Sequence, residues 1–480
     1  MGTRTFIITC IKLIKGVAMQ VSNQTQQLRT DDFNHYLHPF SDMVSVNKNG
    51  ARIIVKGEGC YIWDSENNKI FDAMSGLWCV NLGYGQKPLI NAATEQLNTL
   101  AFYNSFFQTA NTPAIELSKA IASIAPVGFN RVFFTNSGSE SNDTMIRMVR
   151  RYWDIKGKTT KKIIISRWNA YHGSTMGGAS LSGMKYMHEQ GELPIPGIVH
   201  IDQPYQLENG LANESEADFA IRAANWLEQK ILELGAENVA AFVGEPVQGA
   251  GGVIIPPRGY WARIQEICNK YDILLVADEV ICGFGRLGYW FGSQHPHINI
   301  KPDLIIIAKG LTSGYIPMGG VIVHDKVSEV LVHQGGDFNH GFTYSGHPVA
   351  ANVGVATIKY IKEQNLLQQL QNEIIPYFAT KFAQLNNHPL VGDAQSLGLV
   401  AGLVLYQDKQ QKKYFASNLN VDKICREFCF NNGVVMRGVG NRMIIAPPLV
   451  MTKAQVDEVI SKILKSLDNL VDNLKEKGLI

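Results

Sequence analysis

The sequence predicts an α/β protein built on a mostly parallel sheet, and three observations carry that expectation. Residues 273–279 read ILLVADE and residues 304–309 read LIIIAK. Runs this uniformly apolar and β-branched suit strands buried on both faces, as in a parallel sheet covered by helices. From residue 113 onward, strand-like and helix-like patterns alternate, which is the order that βαβ units impose.

Taken in order, residues 1–25 read as an extended or disordered segment. Lys12 and Lys15 interrupt its apolar run, no small-residue cleavage site follows, and Phe6 breaks the myristoylation pattern. A small β-unit is expected at 52–72, with Asp64–Asn68 as its turn. The glycine-rich stretch GLWCVNLGYG (76–85) follows, and Trp78 within it is either core filler or a wall of a site. A helix at 113–122 and a strand at 131–135 lead to NSGSES (136–141) and a helix with Met145, Met148, Val149 and Tyr152 on one side. The strand 162–166 ends in RWNAYHGS, where Tyr171 stands just past a strand end. A helix at 214–234, capped by Asn213, precedes the strand 240–244, which closes on Glu245 and Pro246. Beyond residue 345 the sequence suggests a connecting helix at 348–363, a strand at 397–405, a helix at 421–432 and short strands near 434–436 and 443–445. Thr452 and Gln455 form a capping-box pattern opening a last amphipathic helix. The expected organisation is 26–80 as the N-terminal part of a small domain, 81–345 as a large domain, and 346–480 as the interdomain helix and C-terminal small domain.

The two central strands end in Asp278 and Lys309, and an ionised group there is costly unless something of opposite sign meets it. Two readings stand. The charges pair as a buried structural ion pair, or each has a chemical task. A lysine in an apolar site titrates low enough to form a Schiff base, and a buried carboxylate can keep a pyridine nitrogen protonated. Those are the needs of pyridoxal phosphate. The second reading demands an anion site, and NSGSES at the start of a helix offers free N–H groups, hydroxyls and the helix dipole. The same residues also suit an ordinary N-cap.

Composition narrows the function class. In 480 residues, 45% hydrophobic and 18% charged with a net charge of +2, nothing suggests a nucleic-acid surface, and no run approaches a membrane span. Seven cysteines with no CxxC pair fit a reducing cytosol. GFGRLG (283–288) matches a dinucleotide fingerprint, which would make the chain a dehydrogenase. That fingerprint requires a helix to open within the glycines, and the sequence that follows here has no helical period. His333, His340 and His347 recur every seven residues in a glycine-rich stretch, a spacing that implies no metal.

Together, NSGSESND, YHGST, GEPVQGAGG, LLVADEVICGFGR, IIAKGL and GFTYSGHP resemble the class III (ω-) aminotransferases, from about residue 30 to the C-terminus. The resemblance implies fold type I of the pyridoxal phosphate enzymes: a large domain with a mostly parallel seven-stranded-type sheet plus a smaller α+β domain. It also implies a homodimer with shared active sites, and the cysteine usage places the expected location in the cytoplasm. Carried over by motif, Lys309 is the catalytic lysine that attaches the cofactor. Asp278 meets the ring nitrogen, Val280 and Tyr171 take the two ring faces, and Gly138 and Ser139 hold the phosphate. Glu245 in GEPVQ belongs to the same cofactor-binding set. Phe342 and Thr343 reach the phosphate from the other subunit. Ile281-Cys282 departs from the commoner Gln-Thr, so a glutamine contact to the cofactor is absent. Ser141 replaces a common alanine. GLWCVNLGYG and GNRMIIAPPLV resemble the amine:pyruvate branch, in which Trp78 lines the substrate pocket and Arg437 binds a substrate carboxylate. That branch implies a primary amine or ω-amino acid as donor and a small keto acid such as pyruvate as acceptor. Other branches use diamines, β-alanine, taurine or GABA.

Overall fold

The computed structural model describes residues 22–480. Most of the expected N-terminal extension, and Cys10, lie outside the described residues. By contact density the chain divides into two units: residues 22–57 with Tyr61–Ile70, and Glu58–Cys60 with Phe71–Ile480. In the first, Ser22 caps the helix Asn23–His35 and Asp42 caps Met43–Asn49, each side chain accepting from a first-turn N–H. Strands Ile54–Glu58, Tyr61–Asp64 and Lys69–Phe71 form a three-stranded sheet.

The second unit is organised by a seven-stranded sheet. Its strands are β1 (Arg131–Thr135), β2 (Ile163–Arg167), β3 (Ile198–Ile201), β4 (Val239–Gly244), β5 (Leu274–Asp278), β6 (Leu304–Ile307) and β7 (Gly319–Val323). They lie in the order β3-β2-β4-β5-β6-β7-β1, and only β7 runs against its neighbours. The mostly parallel sheet read from the apolar runs is therefore present.

Period-two alternation divides each strand between two cores. Leu275 and Ala277 pack with the helices Glu216–Leu234 and Tyr260–Lys270. Leu274 and Val276 pack with Met145, Met148, Val149 and Tyr152 of α1 (Gly138–Ile155). The same alternation turns Asp278 towards α1. β4, β5, β6 and β7 are buried throughout, which is why their sequences lack polar alternation.

After the helix Pro348–Glu363, the hairpin Val391–Leu397 and Val400–Asp408 turns at Gly398, whose φ of +62° suits glycine. Arg442–Ile445 and Arg437–Val439 extend that sheet, and Thr452 and Gln455 form the expected capping box of Lys453–Glu476. The helix Glu216–Leu234 is capped by Ser215 and not by Asn213, which adopts positive φ. The glycines of GFGRLG open no helix: Phe284 and Gly285 both have positive φ, and Arg286 is buried among carbonyls. The dehydrogenase fingerprint thus fails on geometry.

Candidate active site

Strand ends bring the site together. In an open α/β sheet, ligands bind beyond the C-terminal ends of the strands. Here Asn136 follows β1, Tyr171 follows β2, Asp278 ends β5 and Lys309 follows β6. All four line one cavity of about 330 Å³, together with Ser137, Gly138, Ser139, Asn142, His172, Val280 and Cys79.

Asp278 is 2% exposed and well supplied with donors. Its Oδ2 accepts from His172 Nδ1 at 2.6 Å and from Asn142 Nδ2 at 3.1 Å, while its Oδ1 accepts from Val280 N at 3.1 Å. A carboxylate has about four acceptor positions, so one remains, on Oδ1. Lys309 does not pair with it: the ammonium makes no hydrogen bond or ion pair among the described residues. Burial pulls its pKa below the ordinary lysine range, with Asp278 opposing. The residue adopts φ +44°, a strained backbone for a non-glycine residue and a recurrent feature of functional sites.

The first turn of α1 lines the cavity with Ser137, Gly138 and Ser139. Ser137 is its N-cap, accepting from Glu140 N at 3.2 Å. That leaves the N–H groups of Gly138 and Ser139 without intrahelical acceptors, where the dipole favours negative charge. The turn is tightly enclosed, since a Cβ on Gly138 would stand 3.1 Å from Val280 Cγ2. Ser141 is harmless, because its buried hydroxyl donates to Ser137 O at 2.8 Å. Two buried polar atoms of lining residues, His172 Nε2 and Asn142 Oδ1, have no partner. Orphaned polar atoms around a cavity with a cation, a carboxylate and a helix N-terminus fit a flat, phosphorylated, basic heterocycle.

Other expected residues stand elsewhere. Glu245 does not line the cavity. Its Oε1 accepts from Tyr171 N at 3.1 Å and Oε2 from Gly249 N at 2.9 Å, so it supports the tyrosine from behind. Burial pushes its carboxyl above the usual range, with His172 opposing. Trp78 is also off the lining: only 2% exposed, it packs with Val253, Ile281 and Ile444, and its neighbour Cys79 faces the cavity instead. In the single chain Trp78 belongs to that apolar cluster. Phe342 and Thr343 do not line this chain's cavity, and Thr343 is exposed. Arg437 begins a short strand, half-buried, and its guanidinium makes no ion pair or hydrogen bond among the described residues. Burial lowers its pKa, and the hydroxyls of Tyr186 and Tyr171 act against that shift. It also acts on Lys309, which places it within charge range of the cavity.

Among the lining residues that sequence reasoning missed are the two that hydrogen-bond Asp278, His172 and Asn142. Their partners are 106 and 136 positions away in the chain. The available signal was that both sit inside the motifs YHG and SESND.

Comparison with known proteins agrees with this geometry. Residues 43–467 match the family Aminotransferase class-III. The chain is 56% identical over 450 residues to a putrescine–pyruvate aminotransferase of Pseudomonas aeruginosa, covering 94% of this chain and 98% of that one. A chloroplastic gamma aminobutyrate transaminase of Solanum lycopersicum is 42% identical over 432 residues, covering 88% and 82%. The solved omega transaminase of Pseudomonas jessenii in complex with PMP superposes with a TM-score of 0.90 at 40% identity, covering 93% and 98%. This chain belongs to the class III aminotransferases.

Proposed function

We propose that the protein is a pyridoxal phosphate-dependent aminotransferase passing an amino group from a primary amine or ω-amino acid to a small keto acid such as pyruvate. One observation carries the reading: Lys309 stands unpaired in the cavity although Asp278 lines the same space. A structural ion pair would have used both.

Lys309 is the attachment residue. Burial lowers its pKa, so the neutral amine that can take a proton from the substrate's Cα is populated at lower pH than in a free lysine. The cofactor, when bound, supplies an electron sink for the carbanion that this proton transfer leaves. Asp278 offers its remaining Oδ1 position to the ring nitrogen, and His172 and Asn142 hold the carboxylate in place. Val280 and Tyr171 take the ring faces, and Glu245 fixes the Tyr171 backbone. Gly138 and Ser139 hold the phosphate by backbone N–H groups. Phe342 and Thr343 complete the phosphate site of a second copy in a homodimer.

Arg437 receives the carboxylate of the keto acid and of its amino-acid product, as its unpaired state supports. The likeness to a putrescine–pyruvate enzyme supports an amine donor and pyruvate as acceptor. GABA is the alternative donor, supported by the plant relatives. A cytoplasmic location is supported by the six described cysteines, all free. Among the described residues no helix is long and apolar enough to cross a membrane.

A panel of diamines, aromatic amines, GABA, β-alanine and taurine with pyruvate, scored by alanine formed, tests the reading. Amines are expected to lead the panel. Alanine formed from none of them would refute it.

A further inference from the structure

Ser139, Asn142 and Asp143 stand at i, i+3 and i+4 on α1 and therefore share one helix face. That face meets the loop carrying Tyr171. Ser139 Oγ accepts from Ser174 N at 3.0 Å, and Asn142 Nδ2 donates to His172 O at 2.9 Å. One turn further along, Asp143 Oδ1 accepts from Thr175 Oγ1 at 2.9 Å and from Gly178 N at 3.1 Å. Thr175 is in turn the N-cap of α2 (Met176–Leu181). Asp143 thus ties the start of α2 to α1, beside the Ser139 and Asn142 contacts to residues 174 and 172.

The fit leaves no slack. A Cβ on Gly177 would stand 2.3 Å from Asp143 Oδ1, and one on Gly173 would stand 2.6 Å from Ser139 Cα. Burial pushes the Asp143 carboxyl above its usual range, while Thr175 and Gly178 draw it back down. Asp143 does not line the cavity, and none of the roles above uses it.

We infer that Asp143 is a positioning residue for the cofactor cradle, fastening Thr175 and Gly178 to α1 so that the Tyr171 loop closes against the phosphate-binding turn. This rests on the cofactor reading of the site. Both donors meet one oxygen, so the clamp needs an acceptor at that point and not a charge. An asparagine with its carbonyl oxygen at the same place serves as well.

The test titrates apoprotein with pyridoxal phosphate, follows absorbance and visible circular dichroism, and reads Kd. Asp143→Ala removes the acceptor. Gly177→Ala displaces it, and does so on a residue of ordinary helical φ, where alanine is otherwise favoured. Its other close neighbour, Ile146 Cδ1 at 2.9 Å, is the tip of a flexible chain. Each single variant is expected to weaken binding about tenfold, the scale of one lost charged hydrogen bond. Asp143→Asn is expected to stay within about twofold of the parent, and the double variant to be no weaker than either single one. Hydrogen exchange at residues 171–178 should rise in the two weakened variants only.

Parent-like Kd in Asp143→Ala or Gly177→Ala, or an Asp143→Asn as weak as Asp143→Ala, overturns the clamp. Should Asp143→Ala fail to fold, Gly177→Ala and Asp143→Asn still decide between these outcomes. Failure of the parent protein to take up pyridoxal phosphate is the separate result that fells the reading of the site itself.

Discussion

Arg437→Ala separates the two halves of the proposed reaction. In the free protein the guanidinium is half-buried without a counter-ion, and burial already lowers its pKa. Removing it therefore relieves a cost when no carboxylate is present. When pyruvate or alanine binds, the lost interaction is a charge-assisted hydrogen bond, worth about 1.5–3 kcal/mol, or roughly 10- to 150-fold in kcat/KM. A simple aromatic amine has no carboxylate to lose, and its rate is expected to stay within a few-fold of the parent or to rise. Single-turnover half-reactions, amine and pyruvate each measured alone by the cofactor's absorbance, give the two numbers independently. Equal losses for an aromatic amine and for alanine would show that Arg437 is structural.

Three further outcomes follow from named contacts. Asp278→Asn puts an amide N–H2 where the carboxylate now faces donors from His172, Asn142 and Val280. Turnover should fall about 10²–10³-fold with the cofactor still bound, and near-normal single-turnover rates would contradict the role. Glu279, fully buried between Gly292 N at 2.7 Å and Ser293 N at 2.6 Å, has its pKa pushed up to about 7, chiefly by burial. Between the unfolded value and about 7 the folded state holds the extra proton, so stability falls as pH rises through that window, by on the order of 3 kcal/mol. The stability difference between parent and Glu279→Gln, by denaturant unfolding, should shift in the variant's favour from pH 5 to pH 8; a flat difference would refute the titration. Arg286→Met leaves Leu399 O, Pro447 O and Asn81 Oδ1 without their donor and should cost about 3–5 kcal/mol, read as a lower Tm of the holoenzyme.

What could be read in advance was local. Asp278 and Lys309 announce themselves because each closes a uniformly apolar strand, and NSGSES because a strand, a tight turn and a helix meet there. The supporting shell was not legible, because it exists only after folding. His172 reaches Asp278 from the loop after β2 and Asn142 from within α1, and Glu245 turns away to backbone N–H groups while still standing at a strand terminus. The loop-like neighbours of Trp78 did not announce that its ring packs with Ile281 and Ile444. The helix Lys87–Thr99 gave little signal, since its buried residues are only Leu89 and Gln96. Ser215 overrides Asn213 as a cap because Asn213 takes the left-handed turn that precedes the helix.

The central claim is that Lys309 is the residue on which the chemistry turns. Protein loaded with pyridoxal phosphate, reduced with borohydride, digested and mapped by mass spectrometry tests it most directly. The expected result is one stable adduct on the peptide containing Lys309, lost in Lys309→Ala together with nearly all turnover. An adduct on another lysine, or one that persists in Lys309→Ala, would contradict it.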